Sequence, residues 1–200
     1  MMCIRTILLL FLIFQCAILS ARGKLEPGYI ITRENDTLYG LVKDRKDAPF
    51  VKIYKKVRFR GGSLFTKKYN PENISGYKAG ERLYESIWID ERTDLMRTIY
   101  WSIPGTGEKR FIRVLLQDEL SYYELEYLDH DSGIIDSFPL FKRMNEGHFI
   151  RVTQGMFGLR KNRLREYFDD CPNLIEKMET GELRTPLEIA AFYNQNCKNP

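Results

Sequence analysis

Two hundred residues, 44% of them hydrophobic, suffice for one well-buried core but hardly for two. The formal net charge is only +4. A protein whose main ligand is nucleic acid is usually far more basic, so nucleic acid is not an expected partner.

The chain opens MMCIRTILLLFLIFQCAILSARGK. Arg5 supplies a small positive start, Ile7 to Phe14 is unbroken apolar, and small residues follow at Ala17, Ser20, Ala21 and Gly23. This is the layout of a secretory signal peptide over residues 1–23, with cleavage expected near residues 20–23. The apolar stretch is interrupted by Gln15 and Cys16 and is shorter than the roughly 18 apolar residues a spanning helix needs. A rival reading makes Cys16 a lipidated first residue, but such signals want small residues before the cysteine, and Phe14 and Gln15 stand there. Removing residues 1–23 takes away Arg5 and Arg22 and leaves 29 basic against 27 acidic residues, a net charge of +2. No second apolar run follows, so no transmembrane helix is expected in the mature chain, which is expected to be exported to the periplasm, the outer membrane or the exterior.

From Tyr29 to Val152 the pattern is that of strands. The segments YIIT, TLYGLVK, KVRFR, LFTKKY, ISGYKA, RLYESIWID, TIYWSI, RFIRVLLQ, YYELEYL, IIDSFPLFK and HFIRV are short and rich in β-branched and aromatic residues. Turn-forming stretches such as RENDT, RGGS, NPEN, IPGTGEK, DHDSG and MNEGH separate many of them. Alternation sets Val57 and Phe59 against Arg58 and Arg60, and Tyr123, Leu125 and Tyr127 against Glu124 and Glu126. The expected architecture is α+β: an antiparallel meander over residues 24–153, forming a curled sheet or sandwich, then helices over 154–200 packed on it as one globular unit.

In the tail, GMFGLRKNRLREYFDD reads as a helix with Leu164, Tyr167 and Phe168 on its apolar side. DDCPNLIEKMETG reads as a second: Asp170 or Cys171 caps it, Pro172 sits in its first turn, and Gly181 ends it. Leu174, Ile175 and Met178 form its apolar face. TPLEIAAFYNQNC starts a third, with Thr185 and Glu188 in capping-box spacing and Pro186 at the first helical position. The short connection between the last two helices folds them back antiparallel. The start of one then lies beside the end of the other, which brings Cys171 to Cys197. Once Cys3 and Cys16 leave with the signal, these form an even pair in an exported chain, the setting in which disulfides persist. The bridge would close a loop of about 27 residues and contribute around 3 kcal/mol if chain entropy sets its effect. A zinc site or a thioredoxin-like redox site would want C-x-x-C, which is absent. A nucleophilic cysteine would need a histidine partner, and His130 and His148 carry no familiar signature.

Other motifs point to little chemistry. PGTGEKR, at 104–110, shares glycine spacing with a phosphate loop, but Glu108 stands where lysine belongs and a strand follows where a helix should. DHDS, at 129–132, reads as a turn rather than a metal or catalytic cluster. Arg160, Lys161, Arg163 and Arg165 read as a solvated helix face balanced by Glu166, Asp169 and Asp170. No cofactor and no metal are expected. The stretch from Val51 to Pro71 contains Lys52, Lys55, Lys56, Arg58, Arg60, Lys67 and Lys68, with Tyr54, Phe59, Phe65 and Tyr69 interleaved. These residues are candidate ligands for an anionic glycan, a lipid headgroup or an acidic protein. The alternative is a solvated strand face whose lysines discourage edge-to-edge pairing.

Five ordered pieces, GYIITRENDTLYG (28–40), YNPENISGY (69–77), FIRVLL (111–116), CPNL (171–174) and YNQNC (193–197), together resemble a group of exported proteins from the Bacteroidota without an assigned activity. In that group a G-D-T hairpin, a Y-x-P-x-(D/N)-I-x-G turn, an F-(L/I)-(K/R)-V-L strand and a C-P-x-L…Y-N-x-x-C tail follow in this order. Asn35 departs from the glycine common before Asp-Thr. The resemblance implies export and a β-rich body with a helical end, and carries over no catalytic residues. Asp36-Thr37-Leu38 also matches the short O-glycosylation pattern of exported proteins in that phylum. The functional expectation is a non-enzymatic cell-envelope or secreted binding module whose partner is a cell-envelope protein or an anionic glycan. The alternatives are an anionic-ligand binder working through residues 52–68, and a hydrolase whose site is assembled from distant residues.

Overall fold

The computed structural model describes residues 24–45, 56–94, 97–128, 135–155 and 158–197. The expected signal peptide, Lys52, Lys55 and the DHDS turn lie outside the described residues.

All eleven segments read as strands form strands. They are β1 (Glu26–Thr32), β2 (Thr37–Lys43), β3 (Val57–Arg60), β4 (Lys67–Tyr69), β5 (Ile74–Ala79), β6 (Arg82–Asp94), β7 (Arg97–Trp101), β8 (Glu108–Leu116), β9 (Leu120–Leu128), β10 (Ile135–Arg143) and β11 (His148–Arg151). Every pairing is antiparallel, in the order β4-β3-β2-β1-β5-β6-β7-β11-β10-β9-β8. Sequential hairpins supply most neighbours, and three contacts bend the meander back on itself: β1 with β5, β6 with β8, and β7 with β11.

The long strand β6 makes the closure possible. Its first part pairs Leu83–Ile89 with Val114–Glu108 of β8, and its second part pairs Asp90–Asp94 with Trp101–Arg97 of β7. Strands β6, β7, β11, β10, β9 and β8 therefore pair round in a ring. Each contributes to the buried cluster of Ile89, Tyr100, Ile112, Val114, Tyr123, Leu125, Phe138, Leu140 and Phe149. The remaining strands extend from β6 as β5-β1-β2-β3-β4, with β4 at the edge among the described residues. A second cluster, with Ile30, Val42, Val57, Phe59, Ile74, Tyr77, Ala79, Tyr84 and Phe111, holds this extension against β6 and β8. The turn between β1 and β2 places Asn35 at φ 66°, left-handed backbone that asparagine tolerates better than most residues.

A third cluster lies where the tail covers β9, β10 and β11. Helices α1 (Lys161–Tyr167), α2 (Pro172–Thr180) and α3 (Pro186–Asn196) contribute Leu164, Leu174, Met178, Ile189, Ala190 and Tyr193, and Phe168 follows α1; all pack on Leu120, Tyr122, Phe141 and Ile150. The first helix is shorter than the stretch read as helical, because residues before it continue the sheet edge through a Thr153–Leu159 bridge. Cys171 caps α2 through its backbone position without a side-chain bond, Pro172 opens the helix, and Gly181 ends it at φ 78°. In α3, Thr185 accepts from the Glu188 amide while the Glu188 carboxylate accepts from the Thr185 amide, a complete capping box. Buried Asn194 works as a surrogate strand residue: its Oδ1 accepts from the Leu120 amide at 2.8 Å and its Nδ2 donates to the Leu120 carbonyl at 2.9 Å. That pairs both backbone groups at the start of β9, which would otherwise be unsatisfied beneath the helix.

Cys171 and Cys197 are joined as a disulfide, with Cα atoms 5.7 Å apart. Replacing both cysteines by serine should lower the unfolding free energy in urea by about 3 kcal/mol, and alkylation of the native protein before reduction should add no mass at either position.

Hydrogen bonds from the Arg184 and Thr185 amides hold the Glu188 carboxyl below its ordinary value of 4.5. Its contribution to stability is therefore complete above the unfolded value and drains away as pH falls through the lower folded value. A Glu188→Gln variant should show a flatter loss of stability on acidification below about pH 4.5, measured by urea midpoints across pH.

Candidate functional site

Alternation along β1 to β4 sorts charge between two faces. On β2, Val42 points into the buried cluster, so Lys43 points outward by alternation; Asp44, just past the strand, turns inward to the Tyr77 and Tyr84 hydroxyls. On β3, Val57 and Phe59 are buried while Arg58 and Arg60 are half-exposed on the other face. The register then sets Lys43 directly opposite Arg58, and Arg58 directly opposite Lys68. Three cations thus stand in one row across three adjacent strands. Like charges facing each other across strands destabilise a sheet.

This row lines a cleft of about 350 Å³ together with Leu25 and Thr66. Its size lies at the lower end of the ~300–1,000 Å³ range typical of ligand pockets. Among the described residues, neither Arg58 nor Lys68 makes an ion pair with a carboxylate.

The opposite face holds the acids. Asp44 Oδ1 accepts from the Tyr77 hydroxyl at 2.6 Å, and its Oδ2 accepts from the Tyr84 hydroxyl at 3.0 Å. Glu26 accepts from Arg82 Nη2 at 2.9 Å. Arg45, with its side chain only 6% exposed, donates to Tyr77 Oη at 3.0 Å and to the Phe111 carbonyl at 3.3 Å, and is ion-paired with Glu126. Its guanidinium also lies 4.7 Å from the centre of the Tyr84 ring. Burial pushes the Tyr77 and Tyr84 hydroxyls well above their ordinary value, with the neighbouring Asp44 adding to the effect. Both phenols therefore remain protonated donors, and the Asp44 carboxylate is occupied as their acceptor. The arrangement is a lock: it ties the end of β2 to β5, β6, β8 and β9, and so sets where Lys43 emerges on the other side.

The structure brings together only some of the predicted basic residues. Arg58 and Lys68 line the cleft; Lys56 and Arg60 share their face by alternation but do not line it. Lys67 pairs with Phe59 and so belongs to the opposite face of the edge strand, where its exposure serves to discourage further strand pairing. Lys52 and Lys55 lie outside the described residues. Sequence reasoning missed Lys43, Leu25 and Thr66. The alternation of Leu41, Val42 and Lys43 in TLYGLVK carried the outward direction of Lys43, but only the pairing of β2 with β3 places it beside Arg58.

The other candidates resolve as structural elements. PGTGEKR is the β7–β8 turn, with Gly105 and Gly107 at φ 84° and 74° and the Thr106 amide donating to Ile103 O at 3.1 Å. His148 opens β11 beside Trp101, with ring centres 5.6 Å apart and Nε2 3.7 Å from Glu146. Arg165 is paired with Glu179, and Lys161 donates to the Glu179 carbonyl at 3.5 Å. Among the described residues, no group of three or more His, Cys, Asp or Glu side chains converges as a metal site, and no helix is long and apolar enough to cross a membrane. The chain matches no protein-family model, no curated protein sequence and no solved structure.

Removing the guanidinium takes one buried partner from Glu126, Tyr77 and the Phe111 carbonyl together. Arg45→Met should therefore lower the unfolding free energy by about 3–5 kcal/mol, read from urea denaturation with the disulfide intact.

Proposed function

We propose that the protein is an exported, non-enzymatic binding module of the cell envelope or exterior that takes an anionic ligand in the cleft beside β3. The observation that carries this reading is the pair Arg58 and Lys68, directly opposite each other on β3 and β4 and without a carboxylate partner among the described residues, which line an open cleft together with Lys43. Arg58 can meet two oxygens of a phosphate, sulfate or carboxylate with its planar fork, and the Lys68 ammonium opposite it supplies a point charge. The sparse apolar lining, Leu25 alone, suits a charged group better than a hydrophobic one. The signal-like first 23 residues and the Cys171–Cys197 bridge support export. The reading is a binding one because the cleft is lined by cations, and the adjacent acids Asp44 and Glu26 are occupied on the far side of the sheet by Tyr77, Tyr84 and Arg82.

The test is an Arg58→Gln/Lys68→Gln double variant. Binding of inorganic pyrophosphate, and retention on a heparin matrix, should fall by about tenfold or more, while stability at low salt should rise because the cross-strand repulsion is relieved. Unchanged pyrophosphate binding and unchanged retention would rule out the cleft as the anion site.

A further inference from the structure

We infer that the cationic cleft is half of a membrane-docking edge, in which the tip of the β3–β4 hairpin enters an anionic bilayer while the cleft holds a lipid phosphate. This rests on the anion-binding reading above and names the source of the anion.

The hairpin connection, residues 61–66, carries Leu64 and Phe65 at its tip, 94% and 80% exposed. Soluble proteins scatter single apolar residues on their surfaces, so one such residue would mean little. Here two are adjacent in the connection of a hairpin, both largely exposed, and each strand leading away from it carries cations: Arg58 and Arg60 on β3, Lys67 and Lys68 on β4. Thr66 and Lys68, within three residues of Phe65, line the cleft itself. The β2–β3 register adds to the same end of the sheet. Leu41 lies opposite Arg60, so the preceding residues Leu38 and Tyr39 run alongside the hairpin connection, and they are 43% and 76% exposed. Tyr39 is an amphipathic side chain of the kind favoured at the membrane–water boundary.

The base of the tip is firmly held. The buried Phe59 ring packs 6.3 Å from Tyr69, and the lack of a side chain at Gly40 lets that ring and the Arg60 carbonyl come against β2. The apolar pair is thus presented on a fixed stem.

Charge and shape together choose the occupant. A protein partner of standard size would need an apolar patch with a polar rim spread over ~800 Å² per side, whereas this feature is a narrow projection with cations immediately behind it. That order, apolar tip first and cations second, matches the order of acyl chain and acidic headgroup met on entering a bilayer. Glu34 and Asp36 are exposed with Arg33 in the neighbouring β1–β2 turn, at the same end of the sheet, and limit how deep the tip enters.

The experiment is co-sedimentation of the purified protein with vesicles of phosphatidylcholine alone and of equal parts phosphatidylcholine and phosphatidylglycerol, run beside pyrophosphate binding and heparin retention. The wild-type protein should sediment with the mixed vesicles only. Leu64→Ser/Phe65→Ser should lose about tenfold or more of vesicle affinity and keep pyrophosphate binding, whereas Arg58→Gln/Lys68→Gln should lose both. A Phe65→Trp variant should gain fluorescence that brominated acyl chains quench, over the baseline of the two native tryptophans. If the Leu64/Phe65 variant binds vesicles as well as wild type, tip insertion is overturned and the anion site stands. If the wild-type protein binds pyrophosphate or heparin but no vesicle, the membrane assignment is overturned and the ligand is a soluble anion or glycan. If it binds none of these probes, both readings fall together.

Discussion

The Arg45 guanidinium is the point on which the outer half of the sheet hangs. It leaves the end of β2, enters the space between β5, β6, β8 and β9, and there meets a phenol, a backbone carbonyl, a carboxylate and the face of an aromatic ring. A buried cation tolerates that environment only when its partners are all in place, so the contact demands one position for the strand that carries it. Asp44, the preceding residue, repeats the demand by accepting from both Tyr77 and Tyr84, whose rings stack with centres 4.6 Å apart.

The consequence appears on the far side of the same strand. Anchoring the two residues that follow β2 holds the strand in place, and Val42, buried in the cluster, sets the alternate Lys43 outward. Lys43 is held opposite Arg58 and cannot slip in register to escape it. The fold therefore sustains the facing cations Arg58 and Lys68 with energy supplied elsewhere in the extension, the relation between local cost and surrounding support that binding sites commonly show.

The ring and the tail solve a different problem. Closing β6 to β8 leaves β5 alone to continue the sheet outward and leaves the outer surface of β9, β10 and β11 in need of cover. Three short helices provide it, each too short to be stable by itself. Packing of Leu164, Phe168, Leu174 and Ile189, the Asn194 bonds to Leu120 and the disulfide together hold them. Arg143 adds a polar tie between β10 and the tail, donating to the Tyr167 carbonyl at 2.7 Å and to Asp170 at 2.6 Å.

Local signals in the amino-acid order were enough to determine the strands, the caps of α2 and α3, the pairing of Cys171 with Cys197 and the outward direction of Arg58. Alternation, proline and glycine placement and a capping box act over a few residues, and a hairpin of two short helices brings its own ends together. The ring, the role of Asn194 and the makeup of the cleft were decided only in three dimensions. Lys43 and Arg58 are joined by register across a long connection, β6 meets β8 past the whole of β7, and Asn194 reaches Leu120 from 74 residues away. No short-range pattern records such contacts, because the free energy that selects them comes from burying distant side chains together.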